Sequence, residues 1–366
     1  MKIGILSLTS GYNFGGTLQT WALAQTLARL GHEPIVIDYH PSHSKRSPWW
    51  RGWGIGKGIS LDKIRHRVWE LSKTPEHVIK YEAFKHKHLS YTPPCYTSVQ
   101  FQEAIQDFDA VVVGSDQVWN LQYHPDPVFY FAAMDSFKGL RVSYAACCGN
   151  PTQSFPDWVS PGLQAFHAVS VRNRFTADWV RRCTAGQIDP LVVADPTLLT
   201  DEFPNARIEL PAKYIAAYHI GQGNPENHCR HIASLRRIHG NLPVVCLMPT
   251  AIALRKHSWH DQVLWNLDPF EWISAIKNSV AVYTDSYHAI LFALRNRVPL
   301  FATYTEAVRA PRLVELREEL GLYGSIFQED ARPDSISLPN WERIATNFKS
   351  RRDLSLRFLD SALRLS

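Results

Sequence analysis

At 366 residues, 45% of them apolar and 20% charged, the chain has a globular composition and exceeds what one hydrophobic core organises, so two domains are expected. No stretch approaches the roughly 20 uninterrupted apolar residues of a membrane span, and Met1-Lys2-Ile3-Gly4-Ile5-Leu6 enters a strand without the charged and apolar regions of a signal peptide, which points to a cytoplasmic protein. A net charge of +5 without a dense basic block excludes a nucleic-acid arm and suits small anionic substrates, while six cysteines with no C-x-x-C pair are expected as free thiols.

Residues 2–8 read as a buried strand. After a Gly/Asn-rich loop, Leu18, Trp21, Ala22, Leu23, Leu27 and Leu30 recur at helical spacing, and Gly31 ends that helix. Pro34–Asp38 is a second short strand, so the chain opens with a βαβ unit, which implies a parallel sheet covered by helices. From about 40 to 91 the sequence turns Pro-, Gly-, Trp- and Lys/Arg-rich, an insertion with a polar helix expected near Leu61–Lys87. Trp49, Trp50, Trp53 and Trp69 interleave there with Lys45, Arg46, Arg51, Lys57, Lys63, Arg65 and Arg67. Two readings stay open: a solvated insertion with packed tryptophans, or a patch meeting an anionic membrane surface or a lipid-linked substrate.

The α/β rhythm resumes with a helix at Ser98–Gln106, strands at Ala110–Val113, Val142–Ala146 and Ala168–Val171, a helix at Thr176–Arg182, and Val192-Val193 leading into Asp195-Pro196. The polar, Pro-containing stretch between Pro196 and Lys213 marks the domain boundary, giving lobes 1–200 and 201–335. The second half repeats the pattern: strand Tyr214–His219, helix Glu226–Ile238, strand Pro243–Met248, helix Pro269–Lys277, strand Ser279–Tyr283, helix Tyr287–Arg295, strand Pro299–Phe301 and helix Arg312–Leu320. An amphipathic helix is expected within 336–366.

Three polar elbows stand where strands give way to helices. Asn13-Phe14-Gly15-Gly16 follows the first strand, where free N–H groups at a helix N-terminus hold ligands and glycines let a substrate approach the backbone; a tight turn without a ligand is the alternative. The segment is not G-x-G-x-x-G and the chain has no P-loop, which counts against dinucleotide and nucleoside triphosphate binding. Gly114-Ser115-Asp116-Gln117 follows the apolar run Ala110–Val113, making Asp116 either a base for an acceptor hydroxyl or a helix cap. Thr284-Asp285-Ser286-Tyr287-His288 repeats the geometry in the second half, with His288 in the first helical turn. Arg172 offers a planar fork to a carboxylate or phosphate, or forms a salt bridge with a nearby acid. The histidines show no metal-ligand spacing, no G-x-S-x-G elbow occurs, and no metal or cofactor is expected.

Taken in order, Asn13-Phe14-Gly15-Gly16, Gly114-Ser115-Asp116-Gln117-Val118-Trp119-Asn120, Ser143-Tyr144-Ala145-Ala146, Ser170-Val171-Arg172, Asp195-Pro196-Thr197-Leu198-Leu199 and Asp285-Ser286-Tyr287-His288 resemble the polysaccharide pyruvyltransferase family, from the first strand to about Leu322. The resemblance implies two Rossmann-like lobes facing across a cleft in a glycosyltransferase B-type architecture, with the C-terminal helix crossing back to the first lobe. It also implies transfer of the enolpyruvyl unit of phosphoenolpyruvate, the donor substrate, onto sugar hydroxyls as a ketal in exopolysaccharide or cell-envelope biosynthesis. His288 and Asp116 are then the expected catalytic residues. Arg172, Ser286, Asp285 and Arg309 are expected on the donor side, and Asn13, Gly15, Gly16, Gly114 and Ser115 on the acceptor side. Many members carry arginine where this chain has Ser286, and glutamate where it has Asn173, so Arg309, Arg312 or His219 are alternative sources of charge for the donor. The rival readings are a nucleotide-sugar-dependent glycosyltransferase on the same scaffold and a non-catalytic glycan-binding relative.

Overall fold

The computed structural model describes residues 1–364 except 10, 41–75, 123–124, 132–135, 151–153, 222, 249–258, 306–309 and 332–335. The basic, Trp-rich segment 45–69 and Arg309 lie outside the described residues. Two units divide the chain. Of the described residues, 1–40, 86–201 and 348–364 form unit 1, and 76–85 and 202–347 form unit 2.

In unit 1, β1 (Lys2–Leu6), β2 (Glu33–Val36), β3 (Ala110–Val113), β4 (Leu140–Ala146), β5 (Ala168–Val171) and β6 (Leu191–Val192) make one parallel sheet in the order β2-β1-β3-β4-β5-β6. The unbroken apolar run of β3 is the signature of a strand covered on both faces, and all four of its residues are buried. Helix α1 (Phe14–Arg29) makes the crossover between the parallel strands β1 and β2. On the opposite face, α3 (Ser98–Ile105), α4 (Val159–Gln164) and α5 (Arg174–Cys183) close a core of Phe101, Val111, Val113, Trp119, Phe129 and Trp179. The C-terminal helix α10 (Trp341–Ala362) contributes its residues from Phe348 onward to this unit. There Ser355 Oγ accepts the Ala194 N–H at 2.9 Å, and Phe358 packs 6.4 Å from the Tyr144 ring.

Unit 2 repeats the plan with β7 (Ile215–Tyr218), β8 (Val244–Leu247), β9 (Gln262–Leu264), β10 (Ala281–Thr284), β11 (Leu300–Tyr304) and β12 (Ile326–Gln328), in the order β12-β11-β10-β7-β8-β9 and again all parallel. Its helices are α6 (Pro225–His239), α7 (Pro269–Lys277), α8 (Tyr287–Arg295) and α9 (Ala310–Leu320), and α2, described over 76–88, contributes its residues 76–85. Helix α7 starts where local chemistry dictates: Asp268 and Glu271 form a reciprocal capping box around Pro269 at the first helical position. Lys80 of α2 pairs with Glu271 at 2.5 Å.

Strands β9 and β12 were not expected from the sequence; each is three residues long, too short for alternation to register. Each sheet is thus a six-stranded Rossmann-like layer flanked by helices, the architecture of glycosyltransferase B-type proteins. Among the described residues no helix is long and apolar enough to cross a membrane.

Candidate functional site

In a doubly wound sheet, ligands bind beyond the carboxyl ends of the two strands between which the chain reverses its direction of winding. In unit 1 that pair is β1 and β3; in unit 2 it is β7 and β10. The Asn13 and Gly114 elbows follow β1 and β3, and the Asp285 elbow follows β10. The residue following β7, His219, completes the second pair.

In unit 1, Asn13 caps α1, its side chain accepting the Gly16 N–H at 3.2 Å, and Gly15 and Gly16 are buried in the first turn. Past β3 the backbone takes forms that few residues tolerate. Gly114 has φ +127°, and a Cβ there would lie 2.1 Å from the Tyr144 carbonyl oxygen. Asp116 (φ 69°) and Ala145 (φ 49°) both sit in the left-handed region without being glycine. Such conformations cost about 1–3 kcal/mol each and persist where the surroundings over-determine them. The surroundings here are bonds between neighbouring strand ends: Ser115 Oγ donates to Ala145 O at 2.8 Å, Ser7 Oγ to Ser115 O at 3.3 Å, and Cys147 N to Asp116 O at 2.9 Å.

The Asp116 carboxylate so presented is held by Arg172. Its Nη2 donates to Asp116 Oδ1 and its Nη1 to Asp195 Oδ2, both at 3.0 Å. Arg172 is 1% exposed, and the Asp116 side chain 10%. Both arms of the guanidinium therefore meet carboxylates of the chain itself. Asp116 is no helix cap. Asp195, which the sequence marked only as part of a box, is the third member; its Oδ1 also accepts Thr197 N at 3.0 Å and Thr197 Oγ1 at 2.8 Å. Beneath lies Asn173, which caps α5 and donates its Nδ2 to Cys147 Sγ at 3.4 Å.

In unit 2, parallel register pairs Tyr218 with Thr284, so His219 and Asp285 emerge side by side. Asp285 accepts the N–H groups of Ile220 at 2.7 Å and Gly221 at 2.8 Å, clamping the loop after β7, and stands 3.9 Å from His219 Nδ1. Ser286 caps α8, so it too has a structural duty; the first turn of α8 carries His288 and no acid. That turn has the polarity to attract an anion. Behind His219 is a buried aromatic bank that sequence reading missed: Tyr283 OH lies 2.7 Å from His228 Nδ1 and 3.0 Å from His231 Nδ1, while the His219 ring packs 4.2 Å from Tyr283 and 4.8 Å from His228. The i, i+3 spacing of His228 and His231 was the one available sign. Burial pulls His231 down to about 4 and pushes the Tyr283 hydroxyl above its ordinary value. Among the described residues no cluster of His, Cys, Asp or Glu is suited to a metal ion.

The chain is similar in fold to UDP-GlcNAc 2-epimerase from Neisseria meningitidis bound to UDP-GlcNAc, at 8% identity and TM-score 0.51 over 100% of both chains. The UDP-GlcNAc 2-epimerase from Methanocaldococcus jannaschii aligns at 12% identity and TM-score 0.48, over 96% of this chain and 93% of that one. The E. coli heptosyltransferase WaaC with ADP aligns at 10% and 0.40, over 98% and 100%. No curated protein matches the chain in sequence. The family model described as polysaccharide pyruvyl transferase matches residues 13–306, a span that begins at the Asn13 cap of α1 and takes in the Asp116, Arg172, Asp195 and Asp285 elbows of both sheets. On that match the chain belongs to the polysaccharide pyruvyl transferase family.

Proposed function

We propose that this transferase moves the enolpyruvyl unit of phosphoenolpyruvate onto hydroxyls of a sugar in a polysaccharide or its glycan precursor, forming a pyruvate ketal. What supports the reading lies within each unit: in unit 1 a carboxylate, Asp116, is held by a buried guanidinium at the winding reversal, and in unit 2 the helical turn that follows the reversal carries the His288 imidazole and no acid. A proton added to the donor methylene makes C2 electrophilic. A sugar hydroxyl adds there, phosphate leaves, and a second hydroxyl closes the ketal. One hydroxyl proton is thereby balanced by the new methyl group and the other by the phosphate released. In this scheme His288 supplies the proton to the methylene and Asp116 receives the acceptor proton. The first turn of α8, with Ser286, the Asp285-clamped loop and Arg309, meets the donor's anionic groups. Asn13, Gly15, Gly16, Gly114 and Ser115 line the acceptor side. Arg172 acts through Asp116 as a positioning residue. No metal or cofactor enters the scheme.

The test is phosphate release from phosphoenolpyruvate across a panel of glycan acceptors. His288→Ala and Asp116→Asn should each slow release by about 10²- to 10⁴-fold. Release of nucleotide from a nucleotide-sugar onto the same acceptors, with none of phosphate from phosphoenolpyruvate, would replace this reading with glycosyl transfer.

A further inference from the structure

Helix α1 buries an unusual number of polar side chains, and nearly all are accounted for. Thr20 Oγ1 donates to Gly16 O at 3.0 Å and Thr26 Oγ1 to Ala22 O at 2.8 Å, the usual way a helix absorbs a hydroxyl. Gln19 is the exception. It is 0% exposed, and among the described residues neither its Oε1 nor its Nε2 has a hydrogen-bond partner. Thr9, in the loop leading from β1 into the same helix, is 3% exposed, and its Oγ1 likewise has none. A buried amide or hydroxyl left unsatisfied costs about 1–3 kcal/mol, and a leucine or valine of similar size would avoid that cost.

Position gives the cost a purpose. Helical side chains lean toward the N-terminus, and Gln19 stands one turn after Gly15 and Gly16 on the same helix face, where neither glycine has a side chain to meet its amide. A Cβ built on Gly16 would meet, as its three nearest atoms, only those of the Asn13 cap, at 3.3–3.6 Å. The turn belongs to the β1 side of the winding reversal in unit 1, and the loop before it is open: Gly11 is exposed, and a Cβ there would meet nothing within 4 Å. The vacant groups are uncharged. A carboxamide presents an acceptor beside two N–H donors, matching two neighbouring hydroxyls, one donating and one accepting.

We propose that Gln19 and Thr9 form a neutral subsite in unit 1 that reads hydroxyl groups of the acceptor sugar, Gln19 spanning a pair and Thr9 a third. The assignment rests on the acceptor role proposed above for the β1–α1 elbow, and makes Gln19 a specificity-determining residue.

The experiment uses the full chain with methyl β-galactopyranoside and methyl β-glucopyranoside as probes, read by saturation-transfer NMR without any donor, beside the melting temperature of the ligand-free protein. For wild type, saturation transfer is expected with at least one glycoside. Gln19→Leu should weaken it by about 3- to 10-fold, the equivalent of one or two net hydrogen bonds, while raising the melting temperature because an unsatisfied amide has gone. Thr9→Val should act in the same sense and more weakly. A Gln19→Leu protein that binds the glycosides as wild type does, or that melts lower, would overturn the proposal, as would a wild type that binds neither glycoside. Failure of phosphoenolpyruvate to release phosphate would strike only the donor chemistry, since no donor is present in this assay.

Discussion

Arg172→Leu is the most informative single change. In the native protein one guanidinium, 1% exposed, stands between the Asp116 and Asp195 carboxylates at 3.0 Å from each. Leucine keeps part of the packing and leaves both anions without the cation. Removing one member of a buried ion pair costs about 3–5 kcal/mol, chiefly because the charge left behind is uncompensated. For a unit of this size each kcal/mol lowers the melting temperature by roughly 2–4 °C, so a fall of about 6–20 °C is expected. Arg172→Lys keeps the charge but spans the two carboxylates from a single nitrogen, and should lose about half as much. Adding Asp116→Asn and Asp195→Asn to Arg172→Leu should recover most of the loss, since the carboxylates are then neutral. Urea unfolding followed by circular dichroism measures all four proteins. Arg172→Leu within 1 kcal/mol of wild type would refute the reasoning. Failure of the neutral triple variant to recover would move the cost from charge to the packing of the arginine stem.

Gly114→Ala should destabilise unit 1 by on the order of 3 kcal/mol or prevent soluble expression, because its Cβ would meet the Tyr144 carbonyl at 2.1 Å with φ at +127°; the urea midpoint checks this. The buried His231, drawn from 6.5 to about 4 by desolvation, binds fewer protons folded than unfolded. Its contribution is therefore fully present above pH 6.5 and is lost as pH falls toward 4. His231→Gln should flatten the fall in unfolding midpoint between those pH values, and an unchanged slope would exclude His231 as its source.

Much of the architecture was legible because local signals agreed with the global fold. The helix read at Pro269–Lys277 is α7 with those same bounds, and the unbroken Ala110–Val113 run is a central strand. The three elbows were legible for the same reason, each a change from apolar strand to small polar residues to helix. What the sequence could not disclose is partnership across distance. Arg172 meets Asp116 56 residues away and Asp195 23 residues away. His219 becomes a neighbour of Asp285 only once β7 and β10 are paired in register. The three-residue strands β9 and β12 exist because an adjacent strand offers its edge, a condition no local pattern carries.

Unit 1 is assembled from pieces that leave the ribosome far apart in time. Its sheet is complete by β6, yet the Ala194 N–H finds its acceptor on Ser355, 161 residues later, after the whole of unit 2 has been made. Until then the nascent first unit carries an open backbone donor two residues past β6 and a Tyr144 ring that Phe358 has yet to meet. The second unit, whose described segments from Glu202 onward are nearly continuous in sequence, needs no such wait. Folding during synthesis therefore runs against chain order for the arginine-bearing unit: the part begun first is finished last.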